Sequence, residues 1–249
     1  MERIAIFAAL QWECRAVVTN LRSTRRIRLG AFSGWHGHAP RHEVYVVKTG
    51  VGVQRATAAA AALAEPRDFA LLVSTGCAGG LAPELRAGDL IIATAVTGGG
   101  DGVGLTDPAQ RLRAFDCAAA AGLPCRQGLV ACSPTALATA ASKRAAAFTG
   151  AIAVDMEGAP IAARAARAGV PFLSVRAVLD GADDDLTGPG TLVDPTTGAV
   201  RPLVLTAYVA THPGAVPQLI ALRRMQSIAR TRLERFFKCW LAAPDAPSA

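Results

Sequence analysis

Residues 151–185, AIAVDMEGAPIAARAARAGVPFLSVRAVLDGADDD, decide the fold. Two apolar runs, Ala151–Val154 and Phe172–Leu179, are short, rich in β-branched residues and bounded by Gly or Pro, the pattern of buried strands. Between them an Ala-rich stretch from Ala159 to Ala168 carries Pro160 in its first turn and meets Gly169, with Pro171 just beyond. Those are the start and stop signals of a helix. The stretch therefore predicts a βαβ unit. Glu157 follows the first strand and Asp180 ends the second. In a parallel sheet both acids lie on one edge, facing the crevice where open α/β sheets bind ligands.

Working outward, 249 residues suffice for one large α/β domain with a full core. Hydrophobic residues make up 51% and aromatics only 5%, so the abundant Ala points to close helix-on-sheet packing rather than to large aromatic pockets. The N-terminus, MERIAIFAALQWE, is charged at once, and Gln11 and Glu13 cut its apolar run, which argues against a signal peptide. No apolar run reaches the roughly 18 residues of a membrane span. A cytoplasmic location is expected.

Six cysteines, at 14, 77, 117, 125, 132 and 239, form no CxxC pair, so free thiols in a reducing compartment are expected ahead of zinc or disulfides. His36, His38 and His42 in WHGHAPRH have ligand-like spacing. A Gly/Pro turn between two strands accounts for them better, because no Cys or carboxylate cluster completes a metal site. The net charge of +7 is uneven, since seven basic residues stand against two acidic ones from Arg201 onward. No basic and aromatic repeat resembles a nucleic-acid module, so this charge is assigned to a surface face and no nucleic-acid partner is expected.

In chain order, Arg3–Leu10 reads as a strand and Gln11–Asn20 as a helix with Glu13 in its first turn. An acid there is ordinary, because it complements the helix dipole. It gains meaning only from standing at the same edge as Glu157 and Asp180. The strand Glu43–Thr49 ends in Gly50-Val51-Gly52 and leads to a helix over Arg55–Ala64. A strand over Phe69–Ser74 runs into Thr75-Gly76-Cys77-Ala78-Gly79-Gly80, small residues that leave room for a sugar or phosphate beside exposed amides. Leu90–Val96 and Gly128–Cys132 are further strands, Gly98–Gly104 a loop, and Pro108–Ala121 and Thr135–Phe148 helices. A final amphipathic helix is expected at about 218–240. Packing on the domain or at a subunit interface is favoured for it over a membrane-surface role, although Phe236, Phe237 and Trp240 beside Arg and Lys suit an anionic surface.

Four separated motifs resemble the nucleoside phosphorylase and nucleosidase superfamily. They are Ala9-x-x-x-Glu13, Thr49-Gly50-Val51-Gly52, Ser74-Thr75-Gly76-x-Ala78-Gly79-Gly80, and Val154-Asp155-Met156-Glu157-Gly158-Ala159 followed by Val175-Arg176-Ala177-x-x-Asp180-x-Ala182-Asp183. The tail GTLVDPTTGAV and the late basic helix resemble, more narrowly, the hopanoid-associated phosphorylases, which implies removal of adenine from adenosylhopane. The implied fold is a single three-layer αβα domain over residues 1–249. Its central sheet is twisted, mixed and mostly parallel.

Breaking a purine N-glycosidic bond develops positive charge on the ribose and negative charge on the base, so both ends need help. By resemblance Asp180 is the general acid at purine N7, Glu13 orients the attacking water, and Glu157 binds the ribose hydroxyls over Met156. The resemblance further places Asp155, Gly76, Cys77, Ala78, Leu137 and Gly50 around the substrate. Asp183, Asp184 and Asp185 either raise the pKa of Asp180 by like charge or form only a solvated turn.

Cys77 stands where nucleosidases have Ser, Leu179 where the adenine-specific ones have Ser, and Ala136 where the family stacks an aromatic on the base. The Gly-Asp-Pro-x-Arg phosphate loop is missing, and Glu13 beside the nucleophile repels phosphate, so hydrolysis is favoured, with phosphate retained as an alternative co-substrate. No metal or organic cofactor is implied, and a homodimer is. Cleavage of methylthioadenosine or adenosylhomocysteine, and a non-catalytic nucleoside-binding module, stand as alternatives.

Overall fold

The computed structural model describes residues 1–63, 65–98, 102–186, 211–212, 214 and 216–243. In chain order the strands and helices are β1 (Glu2–Ala8), α1 (Gln11–Val18), β2 (Arg22–Leu29), β3 (Phe32–His38), β4 (His42–Lys48), α2 (Val53–Ala62), β5 (Leu71–Gly80), β6 (Leu90–Thr97) and β7 (Val103–Leu105). They continue with α3 (Pro108–Ala120), β8 (Cys125–Cys132), α4 (Ala140–Ala147), β9 (Ala153–Asp155), α5 (Gly158–Ala168), β10 (Phe172–Asp180) and α6 (Val216–Trp240).

One mixed sheet carries these strands, with helices on both faces. Alternation along β1 sets the layers. Ile4 and Ile6 turn toward α1, α3 and α6, whereas Ala5 and Phe7 turn toward α2 and α5. Side chains of a strand alternate between faces, and a strand covered on both sides is apolar throughout. The Ala-rich faces of α2 and α5, through Ala56, Ala59, Ala60, Ala162 and Ala165, allow the close helix-on-sheet contact expected from composition. The longest parallel ladders join β5 to β10, β1 to β4 and β6 to β8.

The expected βαβ unit needs correction. Its helix is present, and Gly169 closes it in the left-handed conformation at φ 68°. The two strands are not hydrogen-bonded neighbours, however, and β9 runs antiparallel to β5 while β10 runs parallel to it. Nor is the sheet open throughout, because β5, β10, β6, β8 and β9 close into a ring of paired strands. The cause lies in β5, which does not stop at Ser74 but continues through the small residues to Gly80. Lacking bulk, its end pairs on both edges, with Gly79 opposite Val154 of β9 and opposite Asp180 of β10. The acid-bearing strand ends therefore meet at one glycine, although they arrive from opposite directions.

Smaller differences follow local chemistry. The basic segment Arg22–Arg28 forms an edge strand, where exposed charge blocks pairing with other chains. Helix α4 begins at Ala140 rather than Thr135, because the Thr139 hydroxyl accepts the Ser142 N–H at 3.1 Å and caps it there. Residues 103 and 104 of the expected loop belong to β7, which pairs with β6, while 99–101 and the tail motif at 190–200 lie outside the described residues. His36 and His38 are on β3 and His42 opens β4, so the turn falls at 39–41. His36 Nε2 meets Glu43 Oε1 at 2.8 Å.

Helix α6 packs on the domain. Ala229, Leu233, Phe236, Phe237 and Trp240 are fully buried against α1, α3 and β10. Arg113 lies over the Trp240 ring at 4.7 Å and donates to the carbonyls of Trp240 (2.8 Å) and Ala243 (3.0 Å), capping the helix end. The aromatic residues offered above to a membrane surface are thus core residues. Among the described residues no helix is long and apolar enough to cross a membrane.

Candidate active site

A cavity of about 300 Å³ opens where β5, β9 and β10 meet. Glu13, Asp155, Glu157 and Asp180 line it, together with Cys77, Ala78, Gly79, Met156 and residues 135–138. Its remaining wall is apolar and includes Leu10, Val51, Leu179, Leu186 and Leu222. Leu222 comes from the first turns of α6, so the last helix reaches the site as well as the core.

Glu13 is buried, and three features fix it. Its Oε2 accepts the Leu10 N–H at 2.8 Å, the capping role expected of a first-turn acid. Its Oε1 accepts the Cys77 N–H at 2.9 Å, which ties α1 to β5. Gly76 makes room: a Cβ there would meet the Glu13 carboxylate at 2.8 Å, and its φ of +146° disfavours any side chain. Burial pushes the Glu13 carboxyl above its ordinary pKa, against the pull of these N–H groups and of Arg176.

Glu157 precedes α5 and reaches the start of α2, where the Gly52 N–H donates to its Oε1 at 2.7 Å. Burial, reinforced by Asp155, raises its pKa to about 7. Gly52, at φ +100°, does this work, whereas Gly50 shapes the turn and lies outside the cavity lining. The Asp155 carboxylate is taken by the buried Arg176 guanidinium, which also donates to Ser74 Oγ at 2.5 Å. Asp155 thus holds the floor of the site as an ion pair. Met156 and Leu137 line the cavity, while Gly76 stands behind Glu13.

Asp180 ends β10, and its Oδ2 is ion-paired with Lys143 of α4. Lys143 is completely enclosed and also donates to the carbonyls of Gly181 (2.7 Å) and Asp184 (2.8 Å). Asp184 in turn accepts the Gly181 N–H at 2.8 Å and closes that turn, while Asp183 and Asp185 are exposed. Burial raises the Asp180 pKa; Lys143 opposes it, and Asp184 adds a smaller push upward. Glu13 contacts Cys77 and Asp180 pairs with Gly79. The points at which these acids meet β5, Cys77 and Gly79, are two residues apart on that strand, about 7 Å along it.

Two residues central to this geometry received no role from the sequence. Arg176 could have been found, since a charge inside an apolar strand must have a buried partner. Lys143, in an Ala-rich amphipathic stretch, gave no signal. Cys77 contributes a neutral thiol, because burial and the charges of Glu13 and Asp180 push its pKa well up.

Residues 3–201 of the chain are matched by the model of the phosphorylase superfamily. The chain belongs to the phosphorylase superfamily. The 5'-methylthioadenosine/S-adenosylhomocysteine nucleosidase of Aeromonas salmonicida is 30% identical over 203 residues, covering 72% of this chain and 86% of that one. Among solved structures, the nucleosidase of the same name from Neisseria meningitidis, in complex with methylthio-immucillin-A, superposes with a TM-score of 0.74. It has 19% identity and covers 97% of this chain and 99% of that chain. The futalosine hydrolase mutant of Helicobacter pylori gives a TM-score of 0.71 at 16% identity, covering 95% and 98%. These likenesses show the fold. As a member of the phosphorylase superfamily with its acids assembled, the protein is an enzyme of N-glycosidic bond cleavage. The narrower hopanoid resemblance has no counterpart among these relatives.

Proposed function

We propose that the protein hydrolyses the N-glycosidic bond of a 5′-substituted adenine nucleoside and releases adenine, with methylthioadenosine and adenosylhomocysteine as the first substrates to consider. The observation that carries this reading is one cavity holding Glu13, Glu157 and Asp180, with no Lys, Arg or His among its described lining residues. Arg176 and Lys143 lie behind the wall, each paired with a carboxylate. A phosphate anion finds repulsion there, and water does not.

In this mechanism the C1′–N9 bond breaks and its electron pair stays on the purine. Asp180 gives its proton to N7, Glu157 holds the ribose hydroxyls as positive charge develops on the ring, and water adds to C1′ as Glu13 takes its proton. Asp155 orients Arg176 beneath them.

A second reading keeps this chemistry but gives the substrate a large apolar 5′ group, as in adenosylhopane. Leu137, Leu186 and Leu222 support it, together with the loss of polar groups at Cys77 and Leu179. A lipid-linked substrate would also give a use to Ile220 and Ile228, exposed on α6 beside Arg223 and Arg224, as a peripheral membrane contact. Exposed Val103, Leu105 and Leu112 support a homodimer. The deciding assay measures adenine release from methylthioadenosine, adenosylhomocysteine and adenosylhopane side by side, with and without phosphate. Preference for either of the first two without phosphate supports the first reading, and preference for the hopane the second. No release from any of the three overturns both.

A further inference from the structure

Lys143 is the one enclosed ammonium that touches a cavity acid among the described residues. A lysine has three N–H donors, and here each has an acceptor: Asp180 Oδ2, the Gly181 carbonyl and the Asp184 carbonyl. Two of these bonds pin the turn that follows β10. The third is spent on a carboxyl group that lines the cavity. Burying a charge is expensive, and a neutral donor would serve the two carbonyls.

We infer that Lys143 is a positioning residue for departure of the base: it grips Asp180 by Oδ2, presents Oδ1 to the purine, and stabilises the carboxylate left when the proton moves to N7. This rests on the nucleosidase reading given above. Asp180 enters the step only in its protonated form and leaves it as the anion that pairs with Lys143, so a fixed cation at its far oxygen is worth more in the transition state than before it. The bolt is anchored from both sides. Helix α4 is held by its Thr139 cap, and the Leu186 N–H donates to the Ala138 carbonyl at 2.8 Å, tying the following turn to the segment before α4.

The charged and titratable groups that face Asp180 are Lys143 from α4, Asp184 from the turn and the Cys77 thiol from β5. Lys143 alone among them favours the carboxylate. Removing it leaves burial unopposed, so Asp180 keeps its proton to higher pH. The alkaline limb of the rate profile then moves upward while the maximum rate falls.

The test compares wild type, Lys143→Met and Lys143→Arg in the full chain, after thermal melting establishes that each is folded. Lys143→Gln replaces Lys143→Met if the latter does not fold. Two substrates are used: methylthioadenosine, and the 5′-methylthio-riboside of p-nitrophenol, whose leaving group departs without a proton. Lys143→Met is expected to lose about 10²-fold in kcat on methylthioadenosine with little change in KM, yet to stay near wild type on the nitrophenyl riboside. Lys143→Arg is expected to recover about tenfold of that loss, since it keeps the charge. Equal losses on both substrates, or no loss on either, overturn the inference and leave Lys143 a structural bolt.

Wild-type protein that releases neither leaving group overturns the nucleosidase reading instead. In that case the role in base departure falls with the reading, and a ¹³C titration of the Asp180 carboxyl decides only whether Lys143 holds the carboxylate form. A higher midpoint in Lys143→Met than in wild type supports it, and an unchanged midpoint overturns it.

Discussion

Glu157 Oε1 accepts the backbone N–H of Gly52 at 2.7 Å, across 105 residues of chain. One carboxylate thereby joins the start of α5 to the start of α2, and burial holds its pKa at about 7. The unfolded chain would release this proton near 4.5, the folded one near 7. The native state therefore binds more protons between these values, and stability falls as pH rises from 4.5 to 7, then levels off. Glu157→Gln removes that penalty. It is expected to be more stable than wild type at pH 8, by up to about 3 kcal/mol, with the difference gone at pH 4. Urea melts at the two pH values check this. Turnover of the same variant is expected to fall by on the order of 10²-fold, because an amide accepts the ribose hydroxyls less well than a carboxylate.

Glu13→Gln keeps the helix but loses the base. We expect on the order of 10²-fold lower turnover of methylthioadenosine with analogue binding retained. Calorimetric titration with a non-hydrolysable nucleoside analogue, alongside the rate, separates the two effects. Turnover near wild type would show that Glu13 does not activate the water.

Asp180→Asn acts on both chemistry and fold. It removes the acid, for a loss of about 10²-fold or more. It also leaves Lys143 buried without its counter-charge, at a cost of about 3 kcal/mol. A melting temperature lowered by several degrees together with the lost rate is the expected pair of results.

Gly76→Ala tests the contact between β5 and Glu13. The added Cβ would fall 2.8 Å from the carboxylate, in a backbone conformation that side chains rarely adopt. Displacing Glu13 by even part of an ångström is expected to cost about 10²-fold in rate, since catalysis depends on position at that scale. Asp180 and Glu157 are untouched, so substrate binding should change far less, and comparing KM with kcat reads this out.

Helix α6 is predicted to be indispensable. Trp240→Ala empties a fully buried site, and large-to-small changes of this kind cost about 3–5 kcal/mol. Deleting residues 219–249 strips the helix from its core layer and is expected to give insoluble protein. Membrane contact is therefore tested by Ile220→Asp with Ile228→Asp, which alters only exposed positions, followed by flotation with anionic liposomes. Equal flotation of variant and wild type would remove the membrane proposal.

The sequence by itself determined the main strands and helices around the site and the identity of the acids. The apolar runs of β1 and β10 and the Gly and Pro stops around α5 are local signals, legible because they fall on consecutive residues. Glu13, Glu157 and Asp180 could be named because each closes or follows a strand or opens a helix, positions that the chain marks in its own composition. Only the tertiary structure decided how they meet. That β9 and β10 approach Gly79 from opposite directions depends on strand pairing between distant segments, which no local pattern carries. The burial of Phe236, Phe237 and Trp240 depends on which surface α6 meets, since an amphipathic helix suits a core and a membrane alike. The same holds for Lys143, whose partner lies 37 positions away and became an ion pair only because α4 and the end of β10 were folded together in a space closed to water.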